Sequence, residues 1–238
     1  MKKKLMAIAM TAAMVGSLTA CGGGAKETTA APTEAAKTEA AETEAKAEES
    51  KEADAGSGKA DGDLITVGYA QVGAESDWRT ANTESFKSTF TEENGYKLIF
   101  DDAQQKQENQ IKAIRSFIQQ EVDYIVVAPV VETGWETVLE EAKEAGIPVI
   151  VIDRTIDDSD KYVSWVGSNF KTEGLAAGEW LKAYTDAKGI SDVNVLVIEG
   201  STGASATIGR TDGFKEIADA NGWNILDSQT GDFTQAGG

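Results

Sequence analysis

Residues 124–154, YIVVAPVVETGWETVLEEAKEAGIPVIVIDR, decide the fold. The stretch opens on a short apolar, β-branched run at 124–128 and closes on another at 148–152, and both read as strands. Between them Trp135, Val138, Leu139 and Ala142 recur at helical spacing and fall on one face. Glu144-Ala145-Gly146-Ile147-Pro148 ends that helix on glycine and opens the next strand on proline, as a strand-helix-strand crossover requires. Strands that are apolar throughout must be covered on both faces, the pattern of a parallel sheet in βαβ units.

Working outward, similar runs stand at 64–69, 97–100 and 193–198, with weaker ones at 162–166 and 223–226. Ile111, Ile114, Phe117 and Ile118 share one helical face. The expected class is therefore α/β. In open parallel sheets ligands bind beyond the carboxyl ends of the strands, so the polar residues just after each run are the candidates. These are Gln71, Glu75, Asp77 and Arg79; Asp101 and Asp102; Asp153 and Arg154; and Glu199, Ser201 and Thr202. The arginines stand at 79, 115, 154 and 210 only. Two of the four follow a strand end directly and a third follows closely on one, which in so acidic a chain points to a site.

Composition narrows the chemistry. Hydrophobic residues make up 41% of the 238 and aromatics 7%, enough to build a core. There is no histidine, which excludes His-metal sites and His general bases, and a single cysteine excludes disulfide frameworks and Cys-cluster zinc. The net charge of −18 repels nucleic acid and anionic lipid. No Walker-type phosphate loop is present, since Gly200-Ser201-Thr202-Gly203 lacks the spacing and the lysine. No cofactor and no metal are expected.

The amino terminus reads as an export leader. Lys2, Lys3 and Lys4 precede an apolar run at 5–15 that is too short to span a bilayer. Leu18-Thr19-Ala20-Cys21 resembles the bacterial lipobox, in which the cysteine thiol takes the lipid; Gly22-Gly23-Gly24 then forms a tether. Residues 25–62, rich in alanine, glutamate, lysine and threonine, read as a solvated linker. The expected divisions are 1–24 leader and tether, 25–62 linker, 63–167 a first lobe and 168–238 part of a second.

Each candidate carries two readings. Asp153-Arg154 presents a two-oxygen acceptor beside a planar fork of donors, which matches the vicinal hydroxyls of a sugar; it also suits a turn cap next to a surface ion pair. Glu75 and Arg79 are four apart and suit either a ligand or an i,i+4 helix pair. Arg210 follows a helix start expected near Ala204 and reads as a ligand or as a solvated face. Trp78 and Trp135 are expected in packing, although Trp135 lies near enough to a strand end to offer a platform for a sugar ring. Catalysis is disfavoured. A glycosidase needs a pair of carboxylates, but Glu75 and Asp153 each have an arginine close by that keeps them ionised and poor as general acids.

VGYAQVGAESDWR at 67–79, DDAQQKQENQIKAIRSFIQQEVD at 101–123, APVVETGWETVLEEAKEAGIPV at 128–149 and EGSTGASATIGRTDGF at 199–214 resemble the sugar-binding receptors of bacterial ABC importers, the ribose/galactose type of the periplasmic binding protein family. The resemblance implies a two-lobed fold, each lobe a parallel sheet flanked by helices, closing by hinge bending over one monosaccharide, galactofuranose or a related sugar. It implies Glu75, Arg79, Asp153, Arg154 and Arg210 as sugar-binding residues, and Asn169 as a further contact where relatives often carry an acid; Gln71, from its place after the first strand, and Trp135, as a platform, are expected as secondary contacts beside them. It also implies a monomeric, exported receptor anchored through Cys21 to the outer face of the cell membrane or held in the periplasm. Such a receptor delivers its sugar to a permease or, alternatively, presents it to a membrane sensor kinase or chemoreceptor. The same fold serves sugar-responsive repressors, but here an export leader stands where their basic head would be. The second lobe, with two strands before Gly231-Asp232-Phe233-Thr234, is expected to be incomplete.

Overall fold

The computed structural model describes residues 64–157 and 159–238. The leader, Cys21 and the linker lie outside these residues. The elements run β1 (Ile65–Gln71), α1 (Asp77–Thr89), a single 3-10 turn (Glu92–Asn94), β2 (Tyr96–Asp102), α2 (Gln107–Gln119), β3 (Tyr124–Val127), α3 (Glu136–Glu144), β4 (Val149–Ile152), β5 (Ser164–Val166), α4 (Phe170–Lys188), β6 (Asn194–Glu199), α5 (Ser205–Ala220) and β7 (Asn224–Thr230). The first five strands form one parallel sheet in the order β2-β1-β3-β4-β5, and β6 pairs with β7, also parallel, in a second sheet. This is the two-lobed α/β architecture.

All seven expected strands are present, and four extend beyond the apolar runs that signalled them. β1 and β2 stay paired through Gln71 opposite Asp102, and β6 and β7 through Glu199 opposite Thr230. Backbone pairing continues past the last apolar side chain because the ladder needs only N–H and C=O groups. At the crossover that decides the fold, α3 stops at Glu144, Gly146 takes the left-handed conformation at φ 72°, and the Ile147 N–H caps the helix on the Ala142 carbonyl.

The central strands are covered on both faces, as their unbroken apolar runs require. Ile125 and Val127 join Ile114, Phe117, Trp135, Val138, Leu139, Val149 and Val151 in a buried cluster beneath α2 and α3. Val126 and Ala128 join Val67 and Tyr69 in the opposite cluster, closed by Phe86, Phe90 and Phe100. Tyr69 stacks on Phe86 with ring centroids 3.9 Å apart. Gly68 is required for this arrangement, because a Cβ there would sit 2.5 Å from Cγ of Phe117. In the second lobe α4 and α5 approach so closely that a Cβ on Gly174 would lie 2.2 Å from the Arg210 carbonyl oxygen. The β6-β7 sheet leaves Leu196, Ile198 and Leu226 exposed.

Candidate functional site

The site is assembled at the carboxyl ends of β1, β3 and β4. Gln110 on α2 fixes those ends: its buried side-chain amide donates to the carbonyls of Ala70 (3.1 Å) and Ala128 (2.6 Å) and accepts from the Val130 N–H (2.9 Å). The loop after β1 turns into α1 at Ser76, whose hydroxyl caps the helix by accepting from the Arg79 N–H. Glu75, just before the cap, and Arg79, in the first turn, are thereby brought side by side. The expected i,i+4 pair exists, with Arg79 Nε donating to Glu75 Oε1 at 3.1 Å, but Glu75 is not itself helical.

Asp153 follows β4 with a left-handed backbone at φ 60°, a conformation aspartate tolerates better than most residues. Its carboxylate accepts from Arg79 Nη2 at 2.9 Å. Arg154, the next residue, donates through Nη1 to the Val130 carbonyl at 3.0 Å, and its Nη2 lies 4.0 Å from Glu75 Oε1. Both guanidinium side chains are 4% exposed. Burial, and after it the neighbouring Arg79 cation, lower Arg154 to about 10, so it stays charged at neutral pH.

From the second lobe, Arg210 on α5 donates to Glu173 on α4 at 2.8 Å and lies over the Phe170 ring. Two hydrogen bonds between the lobes hold this wall against the first: the Thr155 N–H to the Ser205 hydroxyl at 2.9 Å, and the Glu132 N–H to the Gly203 carbonyl at 3.0 Å. Glu75, Arg79, Asp153, Arg154 and Arg210 all line one cavity of about 370 Å³. The three arginines are matched there by three carboxylates, those of Glu75, Asp153 and Glu173. One acceptor in this array is idle. Among the described residues Glu75 Oε2 is buried and takes no hydrogen bond, an exception to the rule that buried polar atoms are partnered.

A periplasmic binding protein domain matches residues 67–237. The chain belongs to the periplasmic binding protein family. It is 49% identical over 177 residues to the galactofuranose-binding protein YtfQ of Escherichia coli K12, an alignment covering 73% of this chain and 54% of the relative. Among solved structures, a Mycobacterium smegmatis protein in complex with β-D-fucofuranose superposes with a TM-score of 0.69 at 52% identity. That match covers 73% of this chain and 58% of the other. A galactofuranose binding protein gives a TM-score of 0.68 at 46% identity with the same coverage of both chains. The chain spans about half the length of the curated relatives it matches.

Within this periplasmic binding protein architecture, three expected secondary contacts are placed elsewhere. Trp135 is 1% exposed, packed in the core beneath α3 with its indole N–H on the Val131 carbonyl, and cannot serve as a platform. Gln71 is fully buried below the cavity and bonded to protein at both ends of its amide. Asn169 is the N-cap of α4, accepting from the Thr172 N–H at 3.1 Å, and faces a different cavity beside Glu132 and Trp165. Trp78, expected in packing, is instead 59% exposed at the mouth of the cavity, because α1 turns this position outward beside Arg79.

Sequence reasoning missed Phe233. The turn after β7 holds Asp232 and Phe233 at φ 53° and 57°, which folds the Phe233 ring over the Arg154 guanidinium, 5.0 Å away. In the sequence the segment around it marks only the end of the second lobe's two strands. No periodicity marks a lone aromatic in a turn, so the ring could be assigned only once the two lobes were in place.

Proposed function

We propose that this chain is the ligand-capturing part of an exported sugar receptor, lipid-anchored at Cys21, that holds a monosaccharide in furanose form between its lobes and passes it to an ABC permease. The observation that carries the reading is the unpartnered Glu75 Oε2 among buried guanidinium forks. A sugar hydroxyl donates to that oxygen while accepting from Arg79 or Arg154, so each polar group is satisfied on both sides. The balance of three cations and three anions suits a neutral polyol over a sugar phosphate or sugar acid. The rings of Trp78, Phe170 and Phe233 supply apolar surface for the C–H faces of the sugar. A ring preference for furanose follows from the likeness to proteins named for galactofuranose and solved with β-D-fucofuranose.

Binding without chemistry suits the carboxylates. Glu75 and Asp153 both accept hydrogen bonds from Arg79 and are held as acceptors for a ligand. Calorimetric titration of the full-length protein with D-galactose, D-fucose, L-arabinose and the locked methyl galactofuranosides and galactopyranosides tests the reading. Heat from the furanose-capable sugars supports it, and no heat from any member of the panel overturns it. The anchor is tested apart: Cys21→Ala should release the protein from the membrane fraction, and unchanged retention would exclude lipidation at that residue.

A further inference from the structure

We propose that Gln71 is the positioning residue of this site, acting on the ligand only through Arg79. The proposal rests on Arg79 being a sugar-binding side chain. Gln71 ends β1 with no exposed surface, and its amide has two donor protons and two acceptor lone pairs to place. All four are used. Nε2 donates to Asn82 Oδ1 at 2.8 Å and Thr83 Oγ1 at 3.1 Å, while Oε1 accepts from the Val72 N–H at 3.0 Å and from Arg79 Nη1 at 3.4 Å.

The direction of the amide is forced. The Val72 N–H is a donor and must meet the oxygen, so the oxygen faces Arg79 and the nitrogen faces α1. Asn82 is turned in the same sense, since Tyr69 donates its hydroxyl proton to Asn82 Oδ1 at 2.7 Å. Burial pushes the Tyr69 phenol up, against the pull of the nearby Arg79 cation, so the hydroxyl remains a donor. Tyr69, Asn82 and Gln71 thus form a chain of hydrogen bonds running from the core to Nη1. The other guanidinium nitrogens go to carboxylates: Nε to Glu75 and Nη2 to Asp153. Without Gln71 the guanidinium is held from one side by two anions and can rotate toward either. With it, the planar fork has a third fixed acceptor behind it, and the side facing the cavity is set before any ligand arrives.

The test is a double-mutant cycle on the full-length protein with D-galactose and L-arabinose as probes, reading Kd by calorimetry and Tm separately. Gln71→Met should weaken binding about tenfold or more when Arg79 is present, the loss expected for a hydrogen bond to a charged group. In an Arg79→Lys background it should weaken the remaining binding no further. An equal loss of affinity in both backgrounds, or a lower Tm with Kd unchanged, overturns the proposal. A second readout needs no ligand: the Arg79 Nε–H resonance of the free protein should be sharp in the parent and broadened in Gln71→Met, and an unchanged resonance also overturns it. If Arg79→Lys alone binds like the parent, the sugar-binding reading of Arg79 fails instead, a result distinguishable from failure of the positioning role.

Discussion

Replacing Arg154 by methionine should abolish sugar binding and leave the ligand-free fold about as stable as before. Two opposed effects set the second half of that expectation. The drop from the ordinary arginine value of 12.5 to about 10 means that the fold holds the charged side chain at a disadvantage of ~3 kcal/mol relative to its neutral form. Burial is the main source of that disadvantage, and the Arg79 cation adds to it. Methionine removes the charge and keeps an unbranched apolar stem as far as the position of Nε. Against this, the Val130 carbonyl, and the Pro129 carbonyl with its longer contact of 3.5 Å, lose their donor, at a cost of about 1–3 kcal/mol. The Phe233 ring also loses its cation, a further ~0.5–1 kcal/mol. The terms nearly cancel, so the unfolding free energy from urea denaturation should stay within about 2 kcal/mol of the parent. Calorimetry on the same preparation should detect no sugar binding. Destabilisation well beyond ~4 kcal/mol would identify Arg154 as structural and refute this balance; retained binding would remove it from the site.

Two further substitutions probe separate parts of the molecule. A Cβ on Gly200 would stand 1.9 Å from Cζ of Phe233, so Gly200→Ala should push the ring off Arg154 and weaken binding about tenfold, matching Phe233→Ala; unchanged affinity would mean the ring does not shape the site. Glu132 is raised by burial and then by Asp157 and Asp212, so the fold disfavours its carboxylate: the stability it contributes is complete below the ordinary value of 4.5 and is lost as pH rises through the raised value. Glu132→Gln should therefore raise Tm at neutral pH and leave it unchanged below 4.5, and a rise of equal size at both would contradict the assignment.

The sheet was legible in the sequence because burial on both faces leaves an unbroken apolar run, a signal carried by each strand alone. The strand-end arginines were legible for a similar local reason: topology fixes where the chain leaves the sheet, and polarity in that place has few other uses. What escaped was whatever depends on direction. Trp78 and Trp135 have the same composition signal, yet one caps the cavity and the other lies in the core, because α1 turns its tryptophan outward while α3 turns its own under the sheet. Gln71 and Glu75 both follow the β1 run, but Gln71 is still paired in the ladder to Asp102 and points beneath the site, whereas Glu75 has left the sheet and faces into it. Asn169 is a contact implied only by the family resemblance, with a side-chain oxygen to offer where relatives carry an acid; a helix starts at the next residue, and a free N–H of its first turn claims that oxygen first. The cavity is thus written in the sequence as a set of strand ends, and its chemistry is decided by which of the side chains there remain unclaimed by the backbone. Glu75 Oε2 is the atom that meets that condition most fully.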